Sequence, residues 1–407
     1  MGAMKRRAEW ALAIAALATV ACGSSATTTT EPRCDGACVS AEKDAGHAGR
    51  DAGHDARGKH DSAGGHGERD AAKDARHDAE RHDARKDAPL PVAGLDAGKN
   101  QWTFTYIPGS ACLDGSQTGF AVNPAPEPSE DLMIFLEGGG ACWDATTCWG
   151  PVTTAFYVAT GYGQVEFSTD PQVDLYVLDR TNTENPFRNM NLAFVPYCTG
   201  DVLDGSKVTS LSYLGVSHET HFVGHDNMVL FLQYVAATFP KTTHVWLAGD
   251  SAGGFGTALN FELTQAALPK AHIDVLDDSG QPIEPAAGNW SMWIDAWNAQ
   301  LPAGCPGCKT DPGAFVDYFQ GNYPSSRFGL VSYQYDTVIS TFMGLSLTQF
   351  NTELLGLASN MDAHWPNGHY FIIQGASHVG LLAPTSQLET WVTQLVTGDP
   401  AWTSVKP

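Results

Sequence analysis

A serine stands where a strand, a sharp turn and a helix would meet. The apolar run 244–248 leads into Gly249, Asp250, Ser251, Ala252 and Gly253, and a helix-compatible stretch follows over 257–268. The G-x-S-x-G spacing has a physical logic. A serine on a strained turn needs small neighbours so that the backbone can pass close by, and its hydroxyl then stands out at the carboxyl edge of a sheet. The same pattern also occurs as an ordinary glycine-rich turn, so the chemistry depends on what accompanies it.

A serine hydroxyl attacks an ester carbonyl when a base takes its proton, and the base needs a carboxylate to fix its tautomer and stabilise its charge. Downstream of Ser251 lie His272, His364, His369 and His378. His378 follows the strand-like run 369–374 in a short loop at the carboxyl edge, where it could reach the serine. His272 and His369 fall at strand beginnings, at the opposite edge, and His364 in a loop. For the acid, Asp336 closes the run 328–335, the strand before the histidine's, and is favoured. Asp278, after the strand that follows the nucleophile, is the second choice, and could instead anchor the loop over the site by accepting backbone amides; Asp317 and Asp362 are weaker. Upstream, Gly138, Gly139 and Gly140 follow the continuous apolar run 131–137. Three glycines at a strand end let amides turn toward a ligand, and with the amide of Ala252 they would receive an oxyanion.

The elements that must hold these residues read as strands over 103–107, 131–137, 174–178, 192–196, 244–248, 272–278, 327–335 and 369–374, alternating with helical patterns such as 228–239. Continuous apolar runs suit strands buried on both faces, and the alternation gives a mostly parallel sheet with helices on both faces. His218, His221 and His225 are spaced like metal ligands but do not form HExxH, and they read as polar residues opening the helix over 228–239. No metal site and no cofactor is expected.

The chain has 407 residues and a formal charge of −22. From residue 100 onward, eight Lys and Arg face 29 Asp and Glu, a surface that repels nucleic acid and anionic lipid. At the N-terminus Lys5, Arg6 and Arg7 precede an apolar stretch too short to span a bilayer, ending at Ala21 and Cys22. This reads as an export signal over 1–22 with Cys22 as a lipidation candidate, placing the protein outside the cytoplasm, secreted or tethered by lipid. Residues 23–98, rich in Asp, Ala, Gly and His, lack the large apolar side chains a core needs and read as a disordered linker; its histidines, among them His47, His54 and His60, are spacer residues. Residues 99–407 form the catalytic domain, expected as a monomer. Apart from Cys22, eight cysteines remain: Cys34, Cys38, Cys112, Cys142, Cys148, Cys198, Cys305 and Cys308. An even number in an exported chain favours disulfides, with Cys305 and Cys308 as a loop staple.

The run Leu136 to Gly140 with Cys142 and Cys148 close behind, Val195 to Cys198, Gly249 to Gly254 and Asp278 to Gly280, taken in order, resembles the pectin acetylesterase/Notum family of serine hydrolases over roughly residues 100–395. The resemblance implies an α/β-hydrolase fold, Ser251 as nucleophile with His378 and Asp336, an oxyanion hole from the amides of Gly139, Gly140 and Ala252, and bridges Cys142–Cys148 and Cys112–Cys198. This chain departs from the family in carrying Asp250 where a cysteine usually precedes the serine, as other esterases with a G-D-S-A-G-G motif do. The expectation is an esterase that removes a short acyl group, acetyl first, from an acylated carbohydrate. A general short-chain or lipid-ester hydrolase is the alternative, and a catalytically silent surface binding protein the alternative of another class. Trp143, Trp149, Trp290, Trp293 and Trp297 are candidates for the cleft wall.

Overall fold

The computed structural model describes residues 92–151 and 154–407. The expected export signal, Cys22, Cys34, Cys38, the histidines of the expected linker and nearly all of residues 23–98 lie outside the described residues. The fold already takes in Leu95, whose amide donates to Thr238 Oγ1 at 2.9 Å.

Ten strands are present among the described residues: β1 Thr103–Tyr106, β2 Gly119–Asn123, β3 Asp131–Leu136, β4 Asn191–Val195, β5 Lys207–Tyr213, β6 Val216–Phe222, β7 His244–Asp250, β8 His272–Asp278, β9 Phe328–Tyr333 and β10 Gly368–Ile373. Eight make one sheet in the order β1-β2-β4-β3-β7-β8-β9-β10. The pairs from β4 across to β10 are parallel, while β1-β2 and β2-β4 are antiparallel. Alternate residues of β3 enter two different cores, Leu132, Ile134 and Leu136 on one face, Met133 and Phe135 on the other. Both faces are therefore covered, which is why the run lacks a polar alternation. This is the α/β-hydrolase-like architecture, a mostly parallel sheet between helical layers.

The helices that matter for the site are α1 Ala145–Trp149, α2 Gln164–Thr169, α3 Gly224–Thr238, α4 Ala252–Leu259, α5 Phe261–Ala267, α6 Asn289–Trp297, α7 Ala314–Asn322, α8 Thr337–Met343, α9 Leu347–His364 and α10 Ser386–Thr397. Strand register sets the site's floor: Leu136 pairs with Gly249, and Asp250 with Asp278.

Three local expectations fail for identifiable reasons. Residues 174–178 form no strand. Pro171–Asp174 is a 3-10 turn, started by Pro171 and capped by Asp170, whose carboxylate accepts the Gln172 amide, as proline's fixed φ favours. His218 and His221 do not open a helix but lie on β6, paired with β5 through a two-residue loop, Leu214 and Gly215, both at positive φ. That is the backbone of a primed hairpin turn, where leucine in place of the usual Asn or Asp hides the signal. His225 alone of the three lies at the start of α3. His364 is the last residue of α9, not part of a loop.

Candidate active site

Ser251 sits between β7 and α4 with φ 53° and ψ −119°, a backbone that a side-chain-bearing residue adopts only at a cost and only where its surroundings impose it. The surroundings are glycines. A Cβ on Gly253 would lie 2.0 Å from the Leu136 carbonyl oxygen, and one on Gly249 would lie 2.3 Å from that of Gly253. The serine amide donates to the Asp278 carbonyl at 2.7 Å. Turn, strand β3 and strand β8 are thus pressed together.

His378 Nε2 lies 2.9 Å from Ser251 Oγ, and His378 Nδ1 lies 2.7 Å from Asp336 Oδ2. A carboxylate can only accept, so Nδ1 carries the proton and Nε2 is left as an acceptor facing the serine hydroxyl. Asp336 cannot swing away easily. Its Oδ1 accepts the amides of Val338 and Ile339 as the N-cap of α8, leaving Oδ2 for the imidazole. All three side chains are buried.

Asp278 lies apart from this line. It accepts the amides of Gly380 at 3.1 Å and Leu381 at 2.7 Å, and so fastens the segment that follows His378. Asp317 lies on α7, and Asp362, on α9, pairs with Lys406 and Tyr370. His272 pairs with Asp274 at the far edge, and His369 contacts Ser404.

On the other side of the serine, the amides of Gly139, Gly140 and Ala252 find no acceptor among the described residues. The glycine loop is held elsewhere: Phe156 N donates to Gly139 O at 2.8 Å, and Gly138 N donates to Asp250 Oδ1 at 2.8 Å. Gln172 bonds both the amide and the carbonyl of Gly138. Behind the loop Glu137 is fully buried and accepts the Tyr197 amide. Burial, then the neighbouring Asp170, pushes its carboxyl well above the usual range.

The electrostatics around His378 are one-sided. Burial alone would lower its pKa, but Asp336, then Asp278 and Asp250, outweigh that and raise it. Burial pushes Asp250 up to about 7, with Asp278 adding and the Gly138 amide opposing. Burial pushes Asp278 up to about 6 against the pull of the Leu381 and Gly380 amides.

Beside the serine opens an apolar lobe walled by Trp143, Trp290, Trp293, Trp297, Phe342 and Val202. Trp149 does not join it; it stacks on His218 with ring centroids 4.4 Å apart. The three disulfides are Cys112–Cys198, Cys142–Cys148 and Cys305–Cys308. Two of them brace the wall: Trp297 Nε1 donates to Cys142 O at 2.7 Å and Trp290 Nε1 to Cys308 O at 2.8 Å. Sequence reasoning missed Val202 and Leu203, consecutive residues at φ 51° and 65°. Val202 N donates to the Tyr197 hydroxyl and Leu203 N to buried Asp201. A β-branched residue rarely adopts such a backbone, so nothing in its type announces it. Asp250 and Gln172 as clamps on Gly138 were also missed; the acid beside the serine was the one available signal.

Residues 99–291 match the pectinacetylesterase family model. Over these residues, just under half of the chain, it is similar to the pectin acetylesterase/Notum family. It is similar to palmitoleoyl-protein carboxylesterase NOTUM of Mus musculus, 28% identical over 197 residues that cover 46% of this chain and 37% of that protein. The Homo sapiens protein of the same name is 28% identical over 180 residues, 42% of this chain and 34% of its own length. The Schmidtea mediterranea one is 28% identical over 163 residues, 39% and 29%. These matches thus span well under half the length of these curated relatives. Among solved structures the Wnt deacylase Notum from Drosophila matches with a TM-score of 0.50 and 19% identity, covering 68% of this chain and 86% of that one. At that identity the likeness speaks for the fold. The family match includes the glycine loop, Asp250 and Ser251, while Asp336 and His378 lie beyond it.

Proposed function

We propose that this protein is an exported serine carboxylic-ester hydrolase that removes a short acyl group, acetyl first, from an acylated carbohydrate. The observation that carries the reading is the hydrogen-bonded line Ser251–His378–Asp336 beside three amides without an acceptor. Ser251 Oγ attacks the ester carbonyl as His378 Nε2 takes its proton. Asp336 holds the ring and stabilises the imidazolium, and the amides of Gly139, Gly140 and Ala252 receive the oxyanion. His378 returns the proton to the leaving alcohol. Water, activated by the same imidazole, then cleaves the acyl-enzyme. These steps require no cofactor.

Acetyl comes first because residues 99–291 match the pectinacetylesterase model. A longer acyl group is the second reading, favoured by the aromatic wall and by relatives named palmitoleoyl-protein carboxylesterases. Three disulfides fit an oxidising compartment, and Cys22 supplies the lipid tether in this reading.

The test is hydrolysis of p-nitrophenyl acetate, butyrate and octanoate by the full chain beside Ser251→Ala and His378→Ala, followed by acetate release from acetylated pectin and xylan. Preference for acetate, lost in both variants, is expected. Equal rates for wild type and variants would end the esterase reading, and preference for octanoate would move it to lipid esters.

A further inference from the structure

Asp250 occupies the position before the nucleophile and takes no part in the proton path, yet it touches both halves of the site. Its Oδ1 accepts the Gly138 amide at 2.8 Å, from a side chain that is almost wholly buried. Among the described residues the other acceptor near that amide is Gln172 Oε1, at 3.3 Å. The contact is tight: a Cβ on Gly138 would lie 2.6 Å from the Asp250 carbonyl oxygen and 2.9 Å from Ser251 Cβ. The Gly138 amide, which leads into Gly139 and Gly140, is therefore tied to the residue that leads into the serine.

We propose that Asp250 is a positioning residue for ester hydrolysis, its carboxyl locking the glycine loop to the nucleophile turn so that the Gly139 and Gly140 amides stay aimed at the oxyanion. This rests on the hydrolase reading above.

Removing the Oδ1 acceptor frees the Gly138 amide and lets the loop drift, which weakens binding of the tetrahedral oxyanion more than binding of substrate.

The experiment compares the full-length wild type with Asp250→Asn, which keeps an Oδ1 acceptor without the charge, and Asp250→Ala, which keeps neither. Short p-nitrophenyl esters serve as substrates and a phenylboronic acid as the tetrahedral probe. For Asn, kcat is expected within about threefold of wild type, because the acceptor is kept. For Ala, kcat is expected to fall about 10- to 100-fold with KM little changed and boronate affinity falling in parallel, below the 10²- to 10³-fold of deleting an oxyanion donor outright. An Ala variant with wild-type kcat and boronate affinity overturns the locking role. Should Ala not fold, Asn decides alone: a kcat loss of tenfold or more overturns the proposal. Ser251→Ala run alongside separates the two readings. Full activity there sinks the hydrolase reading itself; a dead Ser251→Ala beside unaffected Asp250 variants sinks only this proposal.

Discussion

At the carboxyl end of the parallel strands one histidine faces three buried carboxyls; at the amino end one buried carboxylate faces two histidines and an arginine. The lower cluster joins Asp274 on β8 to His244 at 3.0 Å, His272 at 2.9 Å and the backbone and guanidinium of Arg327. Burial alone would raise Asp274, but the N–H groups of His244 and Arg327 pull it below the ordinary carboxylate range. The ligand atoms of His244, His272 and Asp274 come within 4.8 Å of one another, yet Arg327 already supplies the positive charge. Every lone pair there has a donor. At the upper end Asp250 and Asp278 are held above their usual range, and three amides have no acceptor among the described residues. The same residue types serve cohesion at one edge and leave capacity for a ligand at the other. The distinction lies in unsatisfied donors and uncompensated charge, not in burial.

The two ends should therefore break differently. Ser251→Ala and His378→Ala are expected to lower kcat by about 10⁴ or more while the thermal midpoint stays within a few degrees. Asp274→Ala should do the reverse. Losing one partner of a buried ion pair costs about 3 to 5 kcal/mol, yet the protein that remains folded should hydrolyse at the wild-type kcat. Denaturant unfolding and active-site titration measure the two quantities separately. An Asp274 variant that folds normally but loses turnover would erase the contrast.

How much of this was legible beforehand follows the same division. The serine turn, the glycine loop and the acid and histidine at the ends of β9 and β10 could be read because each sits at the carboxyl end of an apolar run, and such runs are visible without knowing the fold. The order of strands and the antiparallel β1-β2-β4 edge were not legible, because pairing depends on contacts distant in sequence. The lobe's wall was legible in part: the candidates Trp143, Trp290, Trp293 and Trp297 line it, while Trp149, alike in sequence, packs against His218 instead. Val202 was invisible because its left-handed backbone is imposed by Tyr197 and the buried Asp201, not by its own type.

Val202 gives the next sharpening, confined to the upper end. Its side chain borders the acyl lobe from a backbone that glycine adopts freely. Val202→Gly should relieve that backbone and widen the lobe, raising the butyrate-to-acetate ratio of kcat/KM about tenfold, within the range one or two methylenes are worth. Stability should change little, since lost packing and relieved strain oppose each other. An unchanged ratio would mean that the acyl group points elsewhere.

The smallest effect expected is a separation of the pH at which the protein is most stable from the pH at which it works best. Asp250, pushed up to about 7, and Asp278, Asp201 and Asp204, each pushed up to about 6 by burial first of all, bind protons more tightly folded than unfolded. Their stabilising contribution is complete below the unfolded value of about 4 and is lost as pH rises through about 6 to 7. Asp274 has the opposite sign. Its contribution is present above about 4 and is lost as pH falls through its lowered folded value. Between them these groups place maximal stability in acid solution, at about pH 4. Hydrolysis, which needs a neutral His378 whose pKa its carboxyl neighbours raise, should still be climbing there. Scanning calorimetry from pH 4 to 8.5 beside kcat/KM over the same range should give a thermal midpoint that falls by several degrees from about pH 5 to 8 as activity rises. A midpoint that is flat or rising across that interval would show that the upper carboxyls are not held protonated by the fold, and the electrical contrast between the two ends would be lost.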